Sequence, residues 1–183
     1  MTTTRREQIL DTAATLFAER GFHGVSVHDI GGACGISGPA LYKHFAGKDD
    51  ILTQSLISIS ERLLSEGRSR SESAPTSDAA LDALIDWHIE FALGDRALIV
   101  IQEREWTNLG ADGRREVRAL QLAYIDIWVD TVQHLRDDLD AAEARAAVQA
   151  TFGLINSTPH SARISEESMR TRLASMARAA LLA

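Results

Sequence analysis

The chain has 183 residues, a hydrophobic fraction of 45%, a charged fraction of 25% and a formal net charge of −7. This composition is that of an ordinary soluble globular protein, and it excludes a protein coated in basic surface. A single cysteine, Cys34, excludes an internal disulfide, and no apolar run approaches the roughly 20 residues of a membrane span, so we expect a cytoplasmic protein.

The basic residues of the first segment set it apart from the rest of the chain. Residues 1–48 carry five basic and four acidic side chains, which leaves a net charge of −8 for the remainder. Both lysines of the chain, Lys43 and Lys48, fall in this segment. An acidic protein can still bind DNA when its few cations lie on one face. The overall charge therefore does not exclude DNA binding by the first segment.

Helical periodicity dominates the first half of the chain. Apolar residues recur at the spacing of an α-helix, and serines stand where helix N-caps are expected. In chain order we predict a helix over 5–20 that Gly21 ends, a short helix that Ser26 caps and that runs through Cys34, a second that Ser37 caps and that runs through about Lys43, a long helix over 48–70, and a linker over 69–77.

The second half is also predicted to be helical. The apolar run 98–101 is assigned to a helix, because nothing nearby offers a partner strand. Residues 110–113 are predicted to form a turn, and residues 114–136 a helix that is apolar on nearly all sides and therefore central and buried. Two alanine-rich helices, over about 140–157 and 165–182, close the chain with Pro159 between them.

The segment from residue 24 to residue 48 carries the clearest functional pattern. It contains two short predicted helices separated by a turn with a glycine, Gly35, where a tight turn needs a permissive backbone. The second helix begins with small residues and continues with hydrogen-bonding and cationic side chains. A helix that enters the major groove of DNA needs both features, since its backbone must approach closely and its side chains must reach the bases.

Several motifs in residues 6–56 together resemble the N-terminal domain of TetR-type regulators. They are LFAERGF at 16–22, VHDI at 27–30, GIS at 35–37 and LYKHFAGK at 41–48. The resemblance implies an all-α fold of about nine helices. It also implies a three-helix DNA-binding domain with a helix-turn-helix at 1–47, and a helical domain at 48–183 that binds a ligand and dimerises.

The resemblance also assigns individual residues of the first domain. It implies phosphate contacts by Ser26, Ser37, Tyr42, His44 and Lys48, and a recognition helix over 37–43 whose residues nearest the bases are Gly38, Pro39, Ala40 and Lys43. The sequence departs from the pattern at Gly38, where many relatives carry a lysine or arginine. It also departs at Gly31 and Gly32, which weaken the preceding helix.

Polar and aromatic residues in apolar company suggest an effector pocket in the second domain. Taken singly, each is better explained as a core aromatic or a surface charge; taken together, they fit a mostly apolar cavity with a few polar groups. The candidates are Trp87, His88, Phe91, Arg104, Trp106, Tyr124, Trp128 and Asn156. Arg104 with Arg114, Arg115 and Arg118 would suit an acidic ligand such as an acyl thioester.

Catalysis, a cofactor and a metal site are not expected. The nucleophile elbow of esterases needs a glycine two residues after the serine, whereas Pro39 follows Ser37 at that distance, and the six histidines lack the spacing of metal ligands. The favoured hypothesis is a homodimeric repressor that leaves a palindromic operator when a small-molecule effector binds. The alternative is a ligand-independent architectural or protein-interaction module on the same helices.

The dimer interface is predicted in the last two helices, because small side chains let helices approach closely. The residues assigned to it by helical spacing are Val148, Phe152, Ile155, Leu173, Met176, Ala177 and Ala180.

Overall fold

The computed structural model describes residues 4–183, and every regular element in that range is helical, which confirms the predicted all-α fold class. Ten α-helices are present there, two of them single turns, where about nine had been predicted. None of them is both long and apolar enough to cross a membrane. In chain order they are α1 (Arg5–Arg20), α2 (Val27–Ala33), α3 (Gly38–Leu41), α4 (Lys48–Glu72), α5 (Ser77–Gly94), α6 (Arg96–Arg104), α7 (Ala111–Gln133), α8 (Ala141–Ile155), α9 (Thr158–Ser161) and α10 (Glu166–Leu182), with a 3₁₀ turn, Trp106–Asn108, before α7.

The helices pack into two compact units. The first runs through Ile59 and includes Ala97–Arg118, and the second comprises Ser60–Arg96 and Ala119–Ala183. Helices α4 and α7 each contribute residues to both units. The domain boundary predicted after residue 47 separates DNA-binding from effector-binding function, which this spatial grouping does not test, so it stays a prediction.

Helix α1 follows the predicted pattern closely. The Thr4 hydroxyl accepts a hydrogen bond from the Glu7 amide, and the Glu7 carboxylate accepts one from the Thr4 amide, so the two residues form a capping box. Gly21, at φ +73°, ends the helix, and its N–H donates to the Phe17 carbonyl. The buried face includes Ile9 and Phe17. Local signals in the sequence were sufficient to predict both ends of this helix.

The serine-rich linker predicted over 69–77 is wrong. Residues 69–72 form the last turn of α4, and Ser77 already begins α5, so only residues 73–76 connect the two helices. Arg70 lies in this turn and makes several contacts there. It forms ion pairs with Glu66 and with Glu90, and its guanidinium lies 4.6 Å from the ring centroid of Trp87.

Two predictions about α7 are also wrong. The turn predicted over 110–113 is restricted to Gly110, because α7 begins at Ala111. The helix is not buried on all sides either: Tyr124 and Trp128 are buried, but Leu122 on another face is 41% exposed. Apolar residues on several faces of a helix therefore did not imply a central position in this chain.

Helices α8 and α10 pack against each other, and α10 also packs against α5. Four side chains assigned to the dimer interface are buried within this single chain, so their assignment is wrong: they belong to its core. They are Val148, Ile155, Leu173 and Ala177. By contrast, Met176 is 52% exposed and Ala180 is exposed on the outer face of α10. The helical spacing therefore identified these four residues correctly as buried, but they pack within the same chain and not against a second copy.

Candidate DNA-binding face and effector site

The helix-turn-helix depends on a capping box and two glycines. The Ser26 hydroxyl accepts a hydrogen bond from the Asp29 amide at 3.1 Å, and the Asp29 carboxylate accepts one from the Ser26 amide at 2.8 Å. Gly35 adopts φ +66°, which side-chain-bearing residues rarely adopt. A Cβ at Gly31 would lie 3.0 Å from the Ile36 carbonyl oxygen. Gly31, which we took only as a weakness in α2, therefore allows the turn to pack closely on that helix.

The recognition helix is shorter than predicted. Helix α3 covers only Gly38–Leu41, and turns continue to His44, with the Lys43 amide bonded to the Ala40 carbonyl at 3.3 Å. Ser37 occupies the N-cap position, but its side chain makes no capping hydrogen bond. The predicted extent of 37–43 is therefore too long, whereas Ser37 is the N-cap residue as predicted but makes no capping hydrogen bond.

Most residues predicted to contact DNA are accessible. Leu41 and Phe45 are buried and hold the segment against the core of the first unit, while Tyr42 is 57% exposed. The DNA contacts of the predicted residues stay predictions. The exposed or half-exposed members of the predicted set, all in the first unit, are Ser26, Ser37, Gly38, Pro39, Ala40, Tyr42, Lys43 and His44.

Lys48 has a partner within the chain. Its ammonium donates a hydrogen bond to the Phe22 carbonyl at 2.8 Å and lies 4.2 Å from the centroid of the Phe22 ring. A cation at a helix N-terminus opposes the helix dipole, and these contacts offset that penalty. Because an ammonium has three donors, a phosphate contact by Lys48 is compatible with this geometry and stays a prediction.

The other side of the Phe22 backbone is held by Glu105. Its carboxylate is 7% exposed and accepts hydrogen bonds from the Phe22 amide at 3.1 Å and from the Asn108 side chain at 2.7 Å. Phe22 is thus fixed at both its N–H and its C=O by charged side chains of the first unit. Sequence reasoning missed this junction, since Glu105 lies 83 positions from Phe22 and no local pattern marks the pair.

Five aromatic rings form a cluster in the second unit, which we call the His88 cluster: His88, Phe91, Tyr124, Trp128 and Phe152. The His88 ring stacks on Phe152 with centroids 4.2 Å apart and planes 16° apart, and it meets Trp128 edge-on at 5.9 Å. The Tyr124 hydroxyl lies 3.4 Å from His88 Nδ1. Phe91 lies 5.6 Å from His88. The structure thus brings together four of the predicted effector residues, and it adds Phe152, which we had assigned to the dimer interface.

Two rings of this cluster carry buried polar atoms that make no hydrogen bond of normal geometry. Among the described residues, such atoms are His88 Nε2 and Trp128 Nε1 in the cluster, with Thr151 Oγ1 and Asn156 Oδ1 outside it. The Asn156 side chain is near enough to His88, and the Trp128 indole near enough to the Tyr124 hydroxyl, to act on the pKa values of His88 and Tyr124. Leaving a buried donor or acceptor unpaired costs about 1–3 kcal/mol each, and such atoms are uncommon in folded proteins. Their concentration on neighbouring side chains marks a place where polar groups of a ligand would be stabilising.

The titratable members of the His88 cluster are uncharged at neutral pH. Burial lowers the pKa of His88 to about 3, and the Asn156 side chain acts weakly in the opposite direction. Burial likewise raises the pKa of Tyr124 well above its usual range. The cluster therefore presents hydrogen-bonding atoms without a net charge.

Asn156 lies beside His88, whereas the predicted effector residues Trp87, Arg104 and Trp106 are not part of this cluster. The indole N–H of Trp87 donates to the Leu63 carbonyl at 3.3 Å, so this buried tryptophan is satisfied. Arg104 and Trp106 belong to the first unit, where Arg104 donates to the Ala18 carbonyl at 3.3 Å. A separate cavity of about 470 Å³, lined by Arg68, Glu72 and other polar residues of the second unit, contains none of the predicted effector residues.

Comparison with known proteins agrees with this architecture. Residues 9–54 match the family model of bacterial regulatory proteins of the TetR family, and residues 74–160 match a tetracyclin repressor-like C-terminal domain. The transcriptional repressor KstR2 of Rhodococcus jostii is 31% identical over 143 residues, which cover 74% of this chain and 70% of that protein. The chain belongs to the TetR family. It is a DNA-binding transcriptional regulator.

Solved structures share the fold over nearly the whole chain, and the first of the two described next is a TetR-family regulator. A regulator from Bordetella parapertussis matches with a TM-score of 0.83 and 25% identity, covering 96% of this chain and 95% of that one. AibR, solved in complex with isovaleryl coenzyme A and operator DNA, matches with a TM-score of 0.75 and 21% identity, covering 94% of this chain and 97% of that one. The second likeness concerns the fold alone.

Proposed function

We propose that this TetR-family protein is a homodimeric repressor that leaves its operator when a small molecule binds at the His88 cluster. Two α3 segments would enter successive major grooves of a palindromic site, about 34–36 Å apart. The observation that supports effector binding is the set of buried polar atoms that make no hydrogen bond of normal geometry. Two similar proteins support it as well: KstR2 is a transcriptional repressor, and AibR was solved in complex with isovaleryl coenzyme A and operator DNA. The proposed location is the bacterial cytoplasm, where DNA lies.

The proposed role of Lys43 is to contact bases. Its side chain is exposed next to α3, and within the described part of the chain it has no carboxylate partner. Lys43→Ala is therefore expected to relax sequence preference, reducing discrimination at one base position by about 1–3 kcal/mol. Selection of bound fragments from random DNA, followed by affinity measurements on single-base variants of the selected site, checks this. A uniform loss of affinity on all sequences would make Lys43 a backbone contact instead.

A symmetric dimer is proposed to form through exposed, not buried, faces of α8 and α10. Small side chains line the outer face of α8, and the outer face of α10 adds Met176, a half-exposed apolar side chain of the kind found at interfaces. The proposed contact residues are Ala142, Ala146, Ala150, Gly153, Met176 and Ala180.

Ala150→Arg tests this interface. Because Ala150 is exposed in the single chain, the variant is expected to fold but to dissociate into monomers, since a long cation would be buried unpaired between two copies. Sedimentation velocity measures the state. Ala119→Arg, at an exposed position on α7, is the matched control and should remain dimeric. A dimeric Ala150→Arg protein would place the interface on another face. Ala177→Arg is unsuitable, because Ala177 belongs to the core.

A ligand-independent architectural module remains the second candidate, and the close packing of the aromatic rings favours it. Both candidates are binding functions, and we propose no catalytic step for either. Effector dependence separates them: the repressor should lose operator affinity when a ligand stabilises the fold, whereas the module should bind DNA identically with and without it. Operator binding measured beside thermal melting, with each compound tested, decides between them.

A further inference from the structure

We infer that the His88 cluster takes an uncharged ligand with a flat apolar body and at least one hydrogen-bond-accepting oxygen, and that this body replaces the Phe152 ring against His88. The inference rests on the proposed function and narrows it, because it names the chemistry of the effector. It departs from the acidic ligand that the arginines of the sequence had suggested.

The polar atoms of the cluster specify the hydrogen bonds that a ligand must make. An indole N–H is a donor only, and Trp128 Nε1 makes no hydrogen bond of normal geometry although the Tyr124 hydroxyl is near enough to interact with it, so an acceptor on the ligand would be a better partner. Asn156 Oδ1 is an acceptor, and Thr151 Oγ1 can act in either role. A carbonyl oxygen satisfies the first atom, and a hydroxyl satisfies either of the others. Trp128 and Thr151 are 0% and 1% exposed, so water has little access to them.

The charges around the cluster argue against an anion. Arg70 is the cation whose field reaches Tyr124, and it is already paired with Glu66 and Glu90. Arg114 donates to the Leu109 carbonyl and Arg115 pairs with Asp112, both in the first unit.

A carboxylate among the rings would therefore be desolvated without a partner, which is strongly unfavourable. The four arginines proposed for an acidic ligand, Arg104, Arg114, Arg115 and Arg118, all belong to the first unit, whereas the His88 cluster belongs to the second.

Phe152 is the ring that a ligand can replace. It lies parallel to His88 at 4.2 Å, the shortest of the ring separations in the cluster, and it is only half-buried, whereas Tyr124 and Trp128 are 3% and 0% exposed. A flat molecule stacked on His88 would make the same face-to-face contact that Phe152 makes now. Rotation of one half-buried side chain on α8 would open that position without unfolding the helix.

The probes are three compounds of matched size: naphthalene, its methyl ketone and naphthoate. Binding to the full-length protein is measured by equilibrium dialysis and by the shift in melting temperature. We expect the ketone to bind about tenfold more tightly than naphthalene, because one hydrogen bond to a desolvated donor contributes about that factor to the affinity. Naphthoate should bind more weakly than either compound, and each binding event should raise the melting temperature, more so for the compound that binds more tightly. Naphthoate binding as tightly as the ketone, or no binding by any probe near its solubility limit, overturns the inference.

Two substitutions locate the binding. Trp128→Phe keeps a ring and removes the donor, so the preference for the ketone over naphthalene should fall to about twofold or less. Trp87→Phe is the matched control, because the indole N–H of Trp87 is already bonded to Leu63, and its preference should remain about tenfold. Phe152→Leu should bind both neutral probes several-fold more tightly, since no ring must be displaced. An unchanged preference in Trp128→Phe, or weaker binding by Phe152→Leu, overturns the assignment.

Operator binding is measured in parallel, so that the two proposals fail separately. One outcome is that the protein binds its operator, that an acyl thioester releases the protein from DNA, and that the ketone does not bind. That outcome supports the proposed repressor function and contradicts the inference of an uncharged ligand. If the ketone binds as expected but does not change the affinity for the operator, the result supports the inferred ligand site and contradicts a repressor that the ligand releases from DNA.

Discussion

Trp128→Ala is expected to lower the free energy of unfolding by about 3–5 kcal/mol, because it removes the largest fully buried side chain of the chain and leaves a cavity among packed rings. Trp128→Phe is expected to lose less than about 1.5 kcal/mol. It retains a ring that can meet Phe152 and His88, and it removes an indole N–H that makes no hydrogen bond of normal geometry. Urea unfolding followed by circular dichroism measures both values.

Trp87 provides the internal comparison for this prediction. Trp87→Phe breaks a hydrogen bond that is made, to the Leu63 carbonyl, and it removes part of the surface beneath Arg70. It should therefore cost more stability than Trp128→Phe, although Trp128 is the more deeply buried of the two. The opposite order would mean that the Trp128 N–H has a partner in solution, and the argument from unpaired atoms would lose its main support.

Acidification from pH 7 to pH 5 is expected to lower the free energy of unfolding by about 2 kcal/mol through His88 alone. In the folded protein, burial lowers the pKa of this imidazole to about 3, whereas the unfolded chain titrates near 6.5. Between these values the unfolded state binds one proton more than the folded state. The stabilisation is therefore fully present above pH 6.5 and is lost as the pH falls toward 3.

His88→Gln removes this titration and should flatten the pH dependence between pH 7 and pH 5 by the same amount. His134→Gln is the matched control, since His134 is exposed on the same unit, and its pH dependence should follow that of the wild type. Chemical denaturation at each pH gives the free energies. If the wild type and His88→Gln show parallel curves, His88 is hydrated or paired in the folded protein and the cluster is not desolvated.

The sequence predicted most helices well where the relevant interactions were local. Capping boxes at Thr4 and Ser26 lie within four residues, and the ending of α1 at Gly21 depends on one backbone conformation. The predicted ends of helices were less accurate where side chains distant in the sequence make contacts at those ends. The last turn of α4 contains Arg70, which contacts Trp87 and Glu90 of α5, and no local pattern shows these contacts.

The DNA-binding segment was easier to predict than the effector site for a related reason. Its residues follow one another along the chain, so motif spacing nearly fixes their arrangement, although α3 proved shorter than the pattern suggested. The proposed effector site takes its residues from α5, α7 and α8. Sequence patterns could nominate His88, Tyr124 and Trp128 but could not place Phe152 against them or assign Arg104 and Trp106 to a different unit.

The double anchoring of Phe22 bears on how regulators of this kind can be recombined. Exchanging operator specificity by grafting the first 47 residues onto a foreign sensor would carry Phe22 across but leave both Lys48 and Glu105 behind. The transplanted loop after α1 would then have a buried amide and a carbonyl without counterparts. A functional hybrid should keep residues 97–118 together with the DNA-binding segment, even though residues 48–96 lie between the two pieces in the sequence. We therefore expect hybrids made by exchanging one contiguous segment to fail, because the residues that must be exchanged together are discontinuous in the sequence.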